Sequence, residues 1–295
     1  MRVLMTMAVV SAGLMLGGCA SPLRVPLTQE HKSAIAEVKA KVIIIQDEVI
    51  VSVQPSNVSA ATGGGLIGAV IDSKITNSRV KASQATMGPF YAAIESFDYR
   101  AEFKDAAGPG LAGYPFQVTE ITTTPRALRQ ADLDEWRTGL GPKQALMIVA
   151  PRYNLSMDFR SLDSEMFVTL WTVARGNAPV QRSVVYYQSV PMGTGYADSV
   201  SKWSADNAAP FRAAMKEAIA EAMRLALLDV QTGERPAAKD SDLKDFDFYT
   251  GNAKGKVRGQ PLARENGRVT VLGQDGKLYS LPVADAAATT AASAK

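Results

Sequence analysis

Three consecutive runs of alternating apolar and polar residues constrain most strongly what this chain can fold into. The runs cover 145–158, 165–174 and 182–190, and short polar turns at 161–164 and 175–177 separate them. Alternation with a period of two is typical of half-buried strands, and turn residues between such runs favour antiparallel pairing. The sequence therefore predicts an antiparallel β-meander in the middle of the chain.

A long amphipathic helix is predicted over 208–230, directly after the meander. Its apolar residues recur at helical spacing and are Phe211, Met215, Ala218, Ala222 and Leu225. Such a helix buries one face, and the meander offers the surface that it needs. Ser204, Asp206 or Asn207 is expected to cap this helix, with Pro210 tolerated in its first turn.

The upstream part adds further elements of both types. Thr28 is expected to cap a short helix that carries Ala34, Ile35 and Val38, and branched residues predict a strand over 42–53. A helix is predicted from 66 to about 86, ended by Gly88-Pro89, then a strand at 116–122 and a helix at 126–140. The fold class is therefore mixed α/β, of the α+β type: a mixed or antiparallel sheet covered by amphipathic helices.

The carboxy-terminal part is predicted to form a polar connector and a small β-meander. The connector covers 236–247, and short strands follow at 255–259, 268–272 and 278–283. Asn266-Gly267 and Asp275-Gly276 are strong turn signals, because these residue types tolerate a positive φ. The last residues, 286–295, are small and polar with nothing to bury, which predicts a disordered tail.

The amino terminus has the composition of an export signal. Arg2 is followed by an apolar run over 3–16 and then by small residues. This run is shorter than the ~20 residues that a membrane-spanning helix needs, so it is expected to be removed.

The residues at the end of this run, Leu16-Gly17-Gly18-Cys19, resemble the lipobox of bacterial lipoproteins. The resemblance implies cleavage between Gly18 and Cys19, a diacylglycerol on the Cys19 sulfur, and a further acyl chain such as palmitate on the new amine. Ala20 and Ser21 follow where lipoproteins of the inner membrane carry an aspartate, which implies the periplasmic side of the outer membrane. Multiple acyl chains give stable anchoring.

The sequence divides into five parts on these criteria. They are a signal peptide (1–18), a lipidated tether with a short helix (19–41), a mixed α/β domain (42–235), a connector with a small β-hairpin or meander module (236–285), and the tail (286–295). Cys19 is the one cysteine of the chain, so no disulfide is expected. The formal net charge of +3 falls to +2 without Arg2, too near neutrality for a nucleic-acid partner.

Two short motifs resemble binding or catalytic patterns but lack their context. The run 63–68 matches G-x-G-x-x-G, yet it follows its strand at a distance and no suitably spaced acidic residue accompanies it. Ser199-Val200-Ser201-Lys202 matches the S-x-x-K pattern of penicillin-recognising enzymes, but no Lys-Thr-Gly element exists in the chain. A flexible loop that enters a helix, or a helix-packing notch formed by Gly64 and Gly68, explains 63–68 more simply. Near the second motif, Ser204, Asp206 or Asn207 is expected to cap the long helix.

Titratable residues suggest no further site. His31, the one histidine, is expected on the surface of the tether helix. Asp158, Asp163 and Glu165 are carboxylates of the type that glycosidases pair, but they fall at a predicted turn. The acidic residues at 240, 242, 245 and 247 lack the glycine and the distal glutamate of a calcium loop, so a solvated connector is favoured. No catalytic, cofactor-binding or metal-binding residue is predicted.

The expected function is therefore that of a non-catalytic binding or scaffold lipoprotein in envelope assembly, secretion or cell-wall maintenance. Its expected partners are the membrane, through lipid on Cys19, and an envelope protein or cell-wall polymer. Two alternatives remain: a lipid-anchored cell-wall hydrolase that uses Ser199 or a carboxylate pair, and a carrier of a small molecule or lipid with an apolar pocket under the long helix.

Overall fold

A computed structural model describes residues 22–45, 50–51, 81–82, 85–173, 178–251 and 254–283. In these ranges a single mixed β-sheet has helices on both of its faces, and the predicted fold class is confirmed. The signal peptide, Leu16 to Cys19, the glycine-rich run 63–68 and the tail 286–295 lie outside the described residues.

The described helices are α1 (Gln29–Ala34), α2 (85–93), α3 (Tyr99–Ala112), α4 (Gln130–Thr138) and α5 (Tyr196–Thr232). The strands are β1 (Glu37–Ile43), β2 (Ile50–Val51), β3 (Gln117–Thr124), β4 (Gln144–Leu155), β5 (Leu162–Thr172), β6 (Gln181–Gln188), β7 (Lys244–Tyr249), β8 (Lys254–Glu265), β9 (Arg268–Gly273) and β10 (Leu278–Pro282).

The strand order is β3-β1-β4-β5-β6-β10-β9-β8-β7, with β2 paired to the end of β4. The predicted meander forms β4, β5 and β6 with antiparallel pairing. Pairing is parallel between β1 and its two neighbours, and again between β6 and β10. Because β10 pairs with β6, the carboxy-terminal strands continue the same sheet beyond the connector that begins at 236.

Strand β8 changes its pairing partner at Gly259. Its first half pairs with β7 and its second half pairs with β9, and Gly259 belongs to both pairings. A Cβ at Gly259 would lie 2.4 Å from the Leu272 carbonyl oxygen, so only glycine fits this close approach. Phe246 and Val257 of the β7–β8 hairpin pack on β9 and β10.

The main core lies between the sheet and helices α2, α3 and α5. Phe90, Phe103, Trp203 and Phe211 are fully buried there, against apolar side chains of β1, β4, β5 and β6. Leu133 of α4 packs on the opposite face, against Leu146 and other residues of β1 and β4. The two layers are typical of a domain built around a sheet.

Helix α5 consists of two helical segments. Asp206, Asn207 and Ala208 have φ values of 49°, 57° and 58°, so the backbone leaves helical geometry between Ala205 and Ala208. The second segment begins where the sequence predicts the long helix, and Pro210 lies in its first turn. The Ser204 side chain does not form the predicted cap of this segment, because its hydroxyl donates back to the Val200 carbonyl at 2.7 Å.

Several boundaries differ from those predicted. Thr28 does cap α1, but the helix ends at Ala34, and Val38 belongs to β1. Gly88-Pro89 does not end a helix, since α2 runs through both residues while Met87 and Phe90 are buried in the core. That burial offsets the ~3 kcal/mol that an internal proline costs.

Candidate functional site

The segment 22–28, here called the amino-terminal segment, is docked on the domain. Val25 forms a two-bond antiparallel bridge with Arg182 at the start of β6, with N–O distances of 2.9 and 2.8 Å. The Arg182 guanidinium also donates to the Pro22 carbonyl at 3.0 Å, and Leu27 is buried in the main core. The part of the predicted tether that begins at Pro22 is therefore fixed along the sheet.

A buried ion pair holds the amino-terminal segment to helix α5. Arg24 Nε lies 2.7 Å from Asp229 Oδ1, and the Asp229 side chain is only 1% exposed. The Ser183 hydroxyl donates to the other carboxylate oxygen at 2.7 Å, and Arg24 Nη2 donates to the Gly233 carbonyl at 2.6 Å. A buried charge is costly unless it is paired and hydrogen-bonded, and both conditions are met for Asp229.

A cleft opens beside this ion pair, between the end of α5, the 235–239 part of the connector, and β8. It has a main compartment of about 630 Å³ and a second of about 340 Å³ that reaches Arg24. Arg235, Pro236 and Gln260 line both compartments, so we call the whole space the connector cleft. Its volume suits a small-molecule or headgroup ligand.

Arg235 is the least compensated charge of the connector cleft. Its Nη2 donates to the Thr232 hydroxyl at 3.1 Å, while its Nε is buried without a hydrogen-bond partner among the described residues. Burial and the positive charge of Arg24 lower the pKa of Arg235, although Asp229 acts in the opposite direction. Two guanidinium groups therefore repel each other at the edge of the cleft.

A second polar network joins α5 to the carboxy-terminal strands. Arg268 is 7% exposed and donates to Ser280 Oγ at 2.7 Å, to Glu217 Oε1 at 3.1 Å and to the Gln188 carbonyl at 2.6 Å. Its guanidinium also lies 4.2 Å from the centre of the Tyr187 ring. Arg268 is therefore a structural group that fixes β9 and β10 under α5.

Of the carboxylates considered for glycosidase chemistry, Asp158 and Asp163 form one cluster, which we call the carboxylate cluster. It lies where β4 and β6 end and β5 begins, roughly 20 Å from the amino-terminal segment at ~3.3 Å per residue of β6. Asp158 accepts hydrogen bonds from Ser156 at 2.8 Å and from Tyr249. The Gln188 amide donates to Asp163 Oδ1 at 2.9 Å.

Burial raises the pKa of Asp163 to about 6, and the negative charge of Asp158 acts in the same direction. Hydrogen bonds from Gln188, Tyr186 and Ser161 oppose this shift. Glu165 does not join the carboxylate cluster, because it pairs with Lys277 at 2.7 Å.

The S-x-x-K residues are engaged in structural contacts. Ser199 is fully buried, and its hydroxyl donates to the Met192 carbonyl at 2.6 Å and accepts from the Gly195 amide at 3.0 Å. Lys202 pairs with Asp198 at 3.3 Å. This arrangement leaves the Ser199 hydroxyl without the access and the activating lysine that a nucleophile needs.

The remaining candidate residues are His31 and the aspartates at 240, 242, 245 and 247. His31 is partly exposed in α1, where its Nδ1 lies 2.8 Å from the Thr28 hydroxyl oxygen. Asp240 and Asp242 lie in a single 3₁₀ turn, whereas Asp245 and Asp247 belong to β7. In the described part of the chain, no group of three or more histidine, cysteine, aspartate or glutamate side chains is arranged to hold a metal ion.

Sequence reasoning missed the polar contacts that α5 makes. Glu217, Glu221 and Asp229 are spaced by four and eight residues on this helix, and each receives a hydrogen bond from a residue of the sheet or of the amino-terminal segment. Burial tends to raise the pKa of Glu221, but hydrogen bonds from Arg224 and Ser280 hold it below its ordinary value. The repeated carboxylates along one side of the predicted long helix were the sequence signal that could have indicated these contacts.

Comparison with known proteins assigns no family. No protein-family model matches the chain, and no curated protein matches it. None of the helices in the described ranges combines the length and apolar character that crossing a bilayer requires.

Proposed function

We propose that this chain is an outer-membrane lipoprotein, anchored through lipid on Cys19, whose domain binds or scaffolds an envelope partner without catalysis. The observation that carries the proposal is the docking of the amino-terminal segment onto β6 and α5. Only Ala20 and Ser21 separate Cys19 from Pro22, and a chain extends at most ~3.6 Å per residue. A lipid on Cys19 would thus hold the docked surface within about 11 Å of the membrane.

Docking of the amino-terminal segment would fix the orientation of the domain relative to the membrane. A flexible tether would let the domain rotate freely, whereas a segment bridged to Arg182 and ion-paired to Asp229 fixes which side faces the lipid. The connector cleft then lies on the membrane side, and the carboxylate cluster lies on the far side. A fixed presentation of one surface suits a scaffold that meets a partner across the periplasm.

Two measurements test this proposal. Mass analysis of the mature protein should show an amino-terminal Cys19 that carries diacylglycerol and an acyl chain. Brief trypsin treatment of membranes should yield little fragment beginning at Val25, because the preceding Arg24 is engaged with Asp229. The same fragment should form rapidly in Asp229→Asn.

Glu120→Gln is the matched control, since it removes the partner of the exposed Lys41–Glu120 pair. It should leave the trypsin pattern unchanged. An unacylated Cys19 would contradict the anchoring, and equal cleavage after Arg24 in the wild type and Asp229→Asn would contradict the docked attachment.

A cell-wall hydrolase is the second candidate, and the observation that favours it is the raised pKa of Asp163 beside Asp158. A carboxyl group that stays protonated near pH 6 resembles the general acid of glycosidases. The hydrogen bonds that both carboxylates accept from neighbouring side chains favour a structural role instead. Release of fragments from peptidoglycan by the wild type, and its loss in Asp163→Asn, would favour the hydrolase and contradict our proposal.

A further inference from the structure

The positive charges that line the connector cleft are unevenly paired. Its charged lining residues are Arg24, Arg224, Arg235, Lys239, Asp242 and Glu265. The first two of these arginines are already paired, one with Asp229 and the other with Glu221 and Glu265. Arg235 and Lys239, by contrast, form no ion pair with any described residue.

Arg235 has a buried hydrogen-bond donor, its Nε, that no described residue accepts from. Within the described ranges no carboxylate lies within ion-pair distance of its guanidinium, and its Nε donates to no acceptor. A guanidinium presents several donors in one plane, which matches the oxygen atoms of a phosphate group. A bound anion would satisfy that donor and also reduce the repulsion between Arg235 and Arg24.

We propose that the connector cleft binds a phosphate group and that Arg235 makes the principal contact with it. Gln260 lines both compartments beside Arg235 and offers an amide for a further hydrogen bond. Leu228, Leu262 and Ala263 line the main compartment, so a phosphate that carries an apolar or glycerol substituent also fits.

The source of the phosphate follows from the position of the cleft. Arg24 lines the cleft and also belongs to the amino-terminal segment, where it lies five residues after Cys19. On the proposed function, which this step takes as given, phospholipid headgroups are then the phosphates nearest to the cleft. The domain would make a second, headgroup-specific contact with the membrane beside its lipid anchor.

The first experiment measures phosphate binding itself, independently of lipid. Inorganic phosphate is titrated calorimetrically into the full acylated chain in neutral detergent, and into its Arg235→Gln and Arg126→Gln variants. Arg126 is 69% exposed and remote from the cleft, so its variant controls for the loss of one positive charge. We expect Arg235→Gln to weaken binding at least tenfold and Arg126→Gln to change it less than twofold.

Absence of saturable binding to the wild type, or equal binding to Arg235→Gln, would overturn the proposal. Arg235→Lys, which keeps the charge, should retain part of the affinity. Far-ultraviolet circular dichroism of each variant confirms that a loss of binding is not a loss of fold.

The second experiment distinguishes the two sources. The acylated chain is reconstituted in vesicles of phosphatidylglycerol or in vesicles of digalactosyldiacylglycerol, a bilayer-forming lipid without phosphate, and its unfolding midpoint is recorded. A headgroup ligand predicts a midpoint several degrees higher in phosphatidylglycerol, lost in Arg235→Gln and kept in Arg126→Gln. Equal midpoints in both lipids, together with stabilisation by inorganic phosphate, would retain the phosphate site and reject the lipid source.

Failure of this inference and failure of the proposed function have different signatures. An unacylated Cys19 with intact, Arg235-dependent phosphate binding would reject the lipid anchor alone. An acylated Cys19 without phosphate binding would reject the cleft ligand alone.

Discussion

Replacing Arg24 by methionine should destabilise the domain by about 3 kcal/mol, even though Arg24 lies near the start of the described chain. The change removes a charge-assisted hydrogen bond to Asp229 and leaves that carboxylate, 1% exposed, without a counter-ion. Losing one partner of a buried pair typically costs ~3–5 kcal/mol. We use the lower bound because the Arg24 side chain is 14% exposed and the Ser183 hydroxyl still donates to Asp229.

The measurement is equilibrium urea unfolding followed by tryptophan fluorescence, since Trp203 is 1% exposed and donates to the Phe159 carbonyl. With a denaturant slope of about 3 kcal/mol per M, the loss shifts the midpoint by about 1 M. Arg24→Met combined with Asp229→Leu should recover most of it, because a buried pair can be replaced by apolar residues at little cost.

Lys41→Met provides the control, since its pair with Glu120 is exposed and is worth less than ~1 kcal/mol. A loss in Arg24→Met no greater than in Lys41→Met would refute the reasoning. So would a double variant as unstable as the sum of its two single variants.

Three further changes test other parts of the fold. The pKa of Asp163 is higher in the folded than in the unfolded state, so the wild type should lose stability as the pH rises from about 4 to about 6. Asp163→Asn should abolish this loss, which unfolding measured across that pH range would show. Gly259→Ala should lower the melting temperature by roughly 3–10 °C, because the added Cβ would overlap the Leu272 carbonyl oxygen, whereas Gly139→Ala, whose Cβ would lie 3.9 Å from the Trp136 carbonyl oxygen, should leave it nearly unchanged. Arg268→Met should cost about 3 kcal/mol in urea unfolding, and a smaller loss than about 1 kcal/mol would contradict its role in fixing β9 and β10.

The elements that local pattern alone specifies were predictable from the sequence. The alternation in β5 is regular, and the antiparallel pairing of β4, β5 and β6 follows from the short turns. Asn266-Gly267 does form the β8–β9 turn, with φ values of 51° and 70°. These features depend on neighbours in the chain, so the sequence displays them directly.

Elements that depend on distant partners were predicted poorly. Val38 fits a helical spacing with Ala34 and Ile35, but Glu37–Ile43 alternates buried and part-buried positions and gains two parallel neighbours, β3 and β4. Gly108-Pro109-Gly110 argues against α3, yet Gly110 allows close packing, because a Cβ there would lie 2.7 Å from Met223 Cβ.

The connector conceals a strand for a related reason. Lys244–Tyr249 alternates charged and aromatic residues, but its aspartates favour interpretation as a solvated segment. Only its pairing with β8 and the burial of Phe246 reveal β7. The connector cleft likewise joins residues from the two ends of the chain, and no local motif marks it.

The bond between Arg24 and Asp229 spans 205 residues, which sets the order of events during biosynthesis. At ~5–20 residues per second, the aspartate is made some 10–40 s after the arginine. Until then the amino-terminal segment cannot dock, because β6 and the last turn of α5 have not both been synthesised. On the proposed lipidation of Cys19, the modifying enzymes would have that interval in which to bind the chain near Cys19 before the amino-terminal segment docks.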